Sequence, residues 1–320
     1  MRILVALIST ALLLWASGST QAQWDIYNND SPRWKMESSI LALDRRGDDN
    51  GVPLITDSLT RATLFESGQA TDLNTAAGVD ISVQFHPYGV VEMEIEGSFA
   101  RWESALDFFG PNLATPFLPP TFSPDEINYQ YESNLFSLEL NARREIAPGL
   151  TFLFGPRFVY LEENAQVDTT TTIIPPPPLP IFSATTQTVI DTKNPMFGGQ
   201  IGAEWDFQLA RDIRVHSFIK AGGYENLSSA FVQQSVSGFD DTESDRQKAA
   251  GSFVGEVGGR VYFDIIPRAC SFYAGYEAMW IDNVALAPVQ FITVNNADAD
   301  VILGVTPFVQ GAIFGFEFVH

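Results

Sequence analysis

The connections between the alternating segments of this chain follow a strict long, short, long, short order, and that order leaves few folds open. Ten segments carry period-two patterning, roughly 35–45, 76–86, 89–103, 129–145, 150–163, 196–209, 213–225, 251–264, 270–282 and 308–319. Successive side chains on a strand leave opposite faces of the sheet, so each segment reads as a strand. His86-Pro87-Tyr88-Gly89, Ile146-Ala147-Pro148-Gly149, Ala210-Arg211-Asp212 and Ile265-Ile266-Pro267-Arg268-Ala269 are tight turns built on Pro, Gly and Asp. Between those hairpins run long connections, about 46–75, 104–128, 164–195, 226–250 and 283–307. A soluble sandwich has no reason to sort its loops by parity, whereas a membrane barrel has short turns at one end and long loops at the other. The expected fold is all-β, a single antiparallel up-and-down transmembrane barrel of about ten strands.

The faces of the strands agree with a bilayer outside. In GVVEMEIEGSFARWE (89–103), Val91, Met93, Ile95 and Phe99 take one face and Glu92, Glu94 and Glu96 the other. Phe197, Ile201, Ala203, Trp205 and Phe207 oppose Gln200, Glu204 and Asp206, and Phe253, Val257, Val261 and Phe263 oppose Glu256, Arg260 and Asp264. Lipid offers carboxylates no partners, so the charged faces are expected to line the lumen. The parity reading puts Glu92, Glu94, Glu96, Glu139, Arg143, Arg157, Glu204, Asp206, Lys220, Glu256, Arg260, Glu277 and Glu317 inside as a charge network. Trp102, Tyr160, Tyr224 and Trp280 are expected near the external rim. Tyr88, Trp205, Phe207 and Tyr262 are expected near the periplasmic rim, giving two aromatic girdles.

Compartment is read from the first residues. One basic residue, an apolar run over 3–15 and the small, polar ending Thr20-Gln21-Ala22 form the pattern of a cleavable signal peptide, 1–22. Residues 23–320 are then one barrel domain in the outer membrane of a Gram-negative type of envelope, inserted by the barrel-assembly machinery and surrounded by outer-membrane lipid. After that segment no run of eighteen apolar residues appears, so no helical span is expected. The net charge of −21 is a poor match for phosphate backbones, which excludes a nucleic-acid partner. Cys270, the one cysteine, can form no intrachain disulfide.

Candidate chemistry is sparse. The three histidines, His86, His216 and His320, lie in or near the periplasmic turns and the chain end, away from an external rim where a base would be needed. The expectation is no catalytic residue, no enzyme and no cofactor. Asp48, Asp49 and Asn50 offer oxygen ligands, but their spacing does not match a calcium loop, so no metal is expected. Thr169–Thr172 and Pro175–Pro178 make a low-complexity Thr/Pro-rich external loop within 164–195, a stiff loop tip whose prolines prefer polyproline II and cannot enter a ladder.

The segments SLELNARRE (137–145), GLTFLFGPRFVYLEE (149–163), NPMFGGQIGAEWDF (194–207) and CSFYAGYEAMWIDNVALAP (270–288) resemble the strand texts of the beta-barrel porin-7 family. That resemblance implies a porin-like outer-membrane barrel and carries no functional residue across. Eight strands give an interior just filled by side chains, and open aqueous channels belong to about sixteen to eighteen. A barrel of ten should therefore be plugged by its own side chains and serve as an envelope structural or interaction barrel with acidic external loops. The alternative is a small cation-preferring porin for ions or small polar solutes. The loops name no partner.

Overall fold

The computed structural model describes residues 34–47, 51–71, 73–88, 91–115, 124–173, 182–239, 241–267, 269–294 and 299–320. The predicted signal peptide 1–22, the acidic turn Asp48-Asp49-Asn50 and the prolines Pro175–Pro178 lie outside them. The elements in chain order are β1 (Trp34–Arg46), β2 (Pro53–Asp57), β3 (Thr63–Glu66), α1 (Ser67–Thr71), β4 (Leu73–Tyr88), β5 (Val91–Phe109), β6 (Leu113–Ala114), β7 (Glu126–Ala147), β8 (Leu150–Ile173), β9 (Phe182–Ala210), β10 (Ile213–Val236), β11 (Thr242–Ile266), β12 (Cys270–Asp282), α2 (Ala287–Gln290) and β13 (Phe308–Val319). Ten of the strands close into an antiparallel barrel in the order β1, β13, β12, β11, β10, β9, β8, β7, β5, β4. Closure is made by β1, which pairs with β13 (Leu41 opposite Ile313) and with β4 (Leu41 opposite Gly78). The remaining three, β3, β2 and β6, form a small sheet built from the first two long connections.

Local sequence explains the turn end. Pro148 and Gly149 close the β7–β8 hairpin, where Gly149 takes φ +72° and a Cβ would meet the Asp206 carbonyl oxygen at 2.5 Å. No side chain fits there without moving backbone. Both described termini lie at this end, since the amide of Trp34 donates to the carbonyl of His320 and the reverse bond is also made.

The outside is apolar in a belt. Ile95 is 45% exposed, Phe197 59%, Ile201 56% and Phe316 45%, a density of bare hydrocarbon that a water-facing surface does not carry. The belt ends abruptly toward the loops. Phe99, Phe136, Tyr160 and Pro195 lie side by side on four neighbouring strands, and two residues further along stand Arg101, Asn134, Glu162 and Lys193. Above that row the outward side chains bind one another across the strands: Arg101 to Glu132 (2.9 Å), Asn164 to Asp191 (2.6 Å), Gln187 to Asp168 (3.0 Å).

The two longest departures from the loop reading are extended strands. The segments 164–195 and 226–250, expected as loops, are largely strand: β8 continues to Ile173, β9 starts at Phe182, β10 reaches Val236 and β11 starts at Thr242. With 29 residues, β9 far exceeds the 9–11 that span a bilayer. The barrel therefore stands well proud of its apolar belt. Thr169 and Thr172, read as loop, pair in register with Thr186 and Ser183. Threonine is a good strand residue, and inward Thr169 and Thr188 are buried.

Candidate functional site: a charged lumen and an inward-folded connection

Period two sends alternate side chains of every barrel strand into one narrow space, and what they meet there depends on register. Toward the turn end the interior is ionic. Arg143 donates to Glu94 (3.2 Å) and to Glu204, with Glu92 3.9 Å away. Arg157 donates to Glu256 (2.8 Å) and lies 3.0 Å from Glu139. Lys220 donates to Glu96 (2.6 Å) and Glu139 (3.0 Å). Arg260 donates to Glu37 (2.7 Å) and sits 3.9 Å from Glu277. Lys35 bridges Glu37 (2.7 Å) and Glu317 (2.9 Å), while Arg214 donates to Glu317 (2.6 Å) and lies 3.9 Å from Asp206. Asn141 and Gln200 join the pairs: Gln200 donates to Glu139 (2.5 Å) and to the side-chain oxygen Oδ1 of Asn141 (2.9 Å).

Every residue of the predicted charge network thus stands on the inward face and is tied to at least one opposite charge. Glu94, Glu139, Arg143, Arg157, Glu204, Lys220, Glu256, Arg260 and Glu317 are buried, and Glu92, Glu96, Asp206 and Glu277 are partly so. Bonds of this kind hold only when the remaining donors and acceptors are also met, because taking ions out of water costs several kcal/mol each. The amides, Ser137 and Tyr262 supply that: Arg157 donates to Ser137 (2.9 Å) and the Tyr262 hydroxyl to Glu37 (3.2 Å).

Lys35, Glu37 and Arg214 extend the network beyond the residues expected from sequence, although parity reaches them too. Lys35, Glu37 and Ser39 alternate along β1, and Arg214 shares its face with His216 and Lys220. Arg45 and Glu163 were missed for a different reason: both stand beyond the expected strand core or at its edge. Arg45 donates to Glu163 (2.5 Å) and to Ser133, with both ions essentially sealed from solvent.

Three members of the proposed girdles face inward. Trp102 is 1% exposed and donates its indole N–H to the Leu43 carbonyl (3.1 Å); Tyr224 and Tyr262 are 5% and 1% exposed. Their parity decides it: Trp102 is an even number of residues from Glu94, Tyr224 from Lys220 and Tyr262 from Arg260. Height along the strand points to the rims, but face decides what a side chain meets. Tyr160, Trp205, Phe207 and Trp280 are on the outward parity, Trp280 lying across Gly255. The Tyr88 side chain lies outside the described residues.

Above the charges the lumen becomes apolar, with Leu41, Leu43, Leu135, Val159, Leu161, Met196, Val254, Ile281 and Ile313 buried together. Of the connection 283–307, expected to be an external loop, the described stretch 283–294 folds into this part of the barrel. Val284, Ala285, Leu286 and Ala287 are wholly buried and Phe291 is 1% exposed. Two polar anchors hold it. Asn194 accepts from the Ala285 amide (2.8 Å) and donates to the Ala285 carbonyl (2.8 Å); Glu163, already paired with Arg45, accepts the Ala287 amide (2.8 Å). Gln290 ties the segment to itself, donating to the Ile302 carbonyl (2.8 Å) and accepting the Ile302 amide (3.0 Å). The signal was in the text: VALAPVQFITV, 284–294, is too apolar for a water-exposed loop. Its burial removes that surface from water at roughly 25 cal/mol per Å².

Of the three histidines, His216 is 3.2 Å from Asp206 within the turn-end lumen, His320 lies with its ring 5.5 Å from that of Trp34, and the His86 side chain is outside the described residues. No cluster of three His, Cys, Asp or Glu with metal-holding geometry occurs among the described residues.

No protein-family model matches the chain, so the porin-7 resemblance stands on strand text alone, and no curated protein matches it. Some solved structures are similar to the chain. The outer membrane protease OmpT of Escherichia coli is 11% identical, with 90% of this chain and 96% of that one covered and a TM-score of 0.47. The toluene transporter TodX of Pseudomonas putida is 7% identical over 91% and 90% (TM-score 0.33), and a FadL homologue of Pseudomonas aeruginosa is 8% identical over 91% and 90% (TM-score 0.26). One expectation is corrected by this. A barrel protease stands among the similar structures, so placing the histidines at the turn end does not exclude an enzyme, although the likeness assigns no catalytic residue here. Closed antiparallel barrel, apolar belt and ionic interior together make the described residues a ten-stranded β-barrel of the kind that spans a membrane.

Proposed function

We propose that the protein is a closed outer-membrane barrel that stabilises the envelope and carries an acidic, strand-built external surface for contact with partners. The observation that carries this reading is double closure of the lumen: the salt-bridged layer centred on Arg143, Arg157, Lys220 and Arg260, and the buried connection anchored by Asn194 and Glu163. In this reading the segment 1–22 directs export and is cleaved, the barrel-assembly machinery inserts the rest, and outer-membrane lipid surrounds the apolar belt. The porin-7 resemblance supports the same location. A mature chain starting near Gln23 and fractionating with outer membranes is the expected result; recovery from the periplasm without detergent overturns the location.

Conduction distinguishes closure from the alternative of a small porin. The interior holds more carboxylates than cations, Asp80 and Glu277 among the excess, so any residual path favours cations. Purified barrel in a planar bilayer is expected to show no steady conductance, or small cation-preferring events. Large, long-lived anion-selective channels refute the closed lumen.

A further inference from the structure

At the loop end, α1 and the inward-folded connection face each other across an open cavity of about 180 Å³. Its apolar walls are Leu286, Val289, Ile302, Leu303 and Val305, joined by Ser67, Gly68, Thr71 and Gly304, and among the described residues no Asp, Glu, Lys or Arg lines it, in a chain with a net charge of −21. The two hydroxyls at its edge are already engaged. Ser67 Oγ accepts the Val52 amide (2.7 Å), and Thr71 Oγ1 donates to the Gly68 carbonyl (3.0 Å). Among the described residues no unmet side-chain donor or acceptor calls for a polar ligand, and a charged one would lose its water without a described counter-charge in return.

Size and rigidity narrow the occupant. An aliphatic-lined cavity of about 150 Å³ takes benzene, and small-molecule sites are mostly apolar and largely preformed. Here Leu286 is sealed at 0% exposure, and the backbone on either side of it is fixed by Asn194 and Glu163. Gln290 holds Ile302 on the opposite wall. From this we infer that the cavity is a binding site for a small uncharged apolar molecule about the size of one aromatic ring.

Ligand-observed fluorine NMR of fluorobenzene tests it, using the full barrel in lipid nanodiscs and empty nanodiscs as the baseline for partitioning into lipid. The expected result is a saturable excess over the baseline that weakens at least tenfold in Val289→Trp, which fills the cavity, with no comparable binding of 4-fluorobenzoate. Should Val289→Trp fail to fold, as judged by heat-modifiable gel mobility, Leu303→Asp puts a charge on the wall and is expected to give the same loss. Absence of a saturable excess, unchanged binding in the folded variant, or equal binding of 4-fluorobenzoate overturns the site. The outcome is independent of whether the lumen conducts.

Discussion

Replacing Arg157 by Met tests whether the ionic layer is a dry, paired interior or a hydrated one. The guanidinium serves Glu256 at 2.8 Å, Glu139 at 3.0 Å, Ser137 at 2.9 Å and Gln200 at 3.2 Å. Its two carboxylates do not lose equally. Glu139 keeps Lys220 (3.0 Å), Asn141 (3.0 Å) and Gln200 (2.5 Å), whereas Glu256 is left with Lys220 at 4.0 Å. Stranding one buried carboxylate costs about 3–5 kcal/mol, and the methionine stem replaces most of the lost packing volume. The measurement is guanidinium unfolding of the barrel from lipid vesicles, followed by tryptophan fluorescence. Adding Glu256→Gln to Arg157→Met should return about half of the loss or more, because it removes the stranded charge. Adding Glu139→Gln should not, because it takes away a partner of Lys220; neighbours that share partners are expected to couple in this way by roughly 0.5–3 kcal/mol. A loss below about 1 kcal/mol for Arg157→Met, or equal rescue by both second changes, would falsify the dry-layer reading, since water would then be solvating Glu256.

Ile95→Arg, on the lipid-facing belt, should destabilise the barrel by about 2–4 kcal/mol, while Gln166→Arg, beyond the belt's edge, should fall within about 0.5 kcal/mol of native; similar losses at both would show the belt is misplaced. Asn194→Ala removes one anchor of the buried connection and should speed amide exchange across 284–305 with the barrel strands unchanged, so unaltered exchange there would reject the anchor. Single-tryptophan variants retaining Trp205 or Trp280 should be quenched by brominated lipid and the variant retaining Trp102 should not, because Trp102 is inside; quenching of Trp102 would return it to the girdle.

All ten barrel strands and the parity of their faces were legible in the chain, because both are local. A period of two is imposed by each strand's own backbone, and Pro148-Gly149 or Ala210-Arg211-Asp212 make their turns whatever surrounds them. Parity alone put Glu94, Arg157 and Lys220 on the inner face, and applied to Trp102, Tyr224 and Tyr262 it would have kept them out of the girdles. Strand ends were not legible, since β8 and β9 persist through Thr/Gln text only because each rung finds a partner on the next strand. Who meets whom across the lumen was decided by the closed register: Arg260 reaches Glu37 over 223 residues of chain, a contact that needs the barrel shut by β1 and β13. The same holds for the connection 283–307. Its apolar text announces burial, but only a barrel standing proud of its belt, with Asn194 and Glu163 at the right height, offers it an interior to enter.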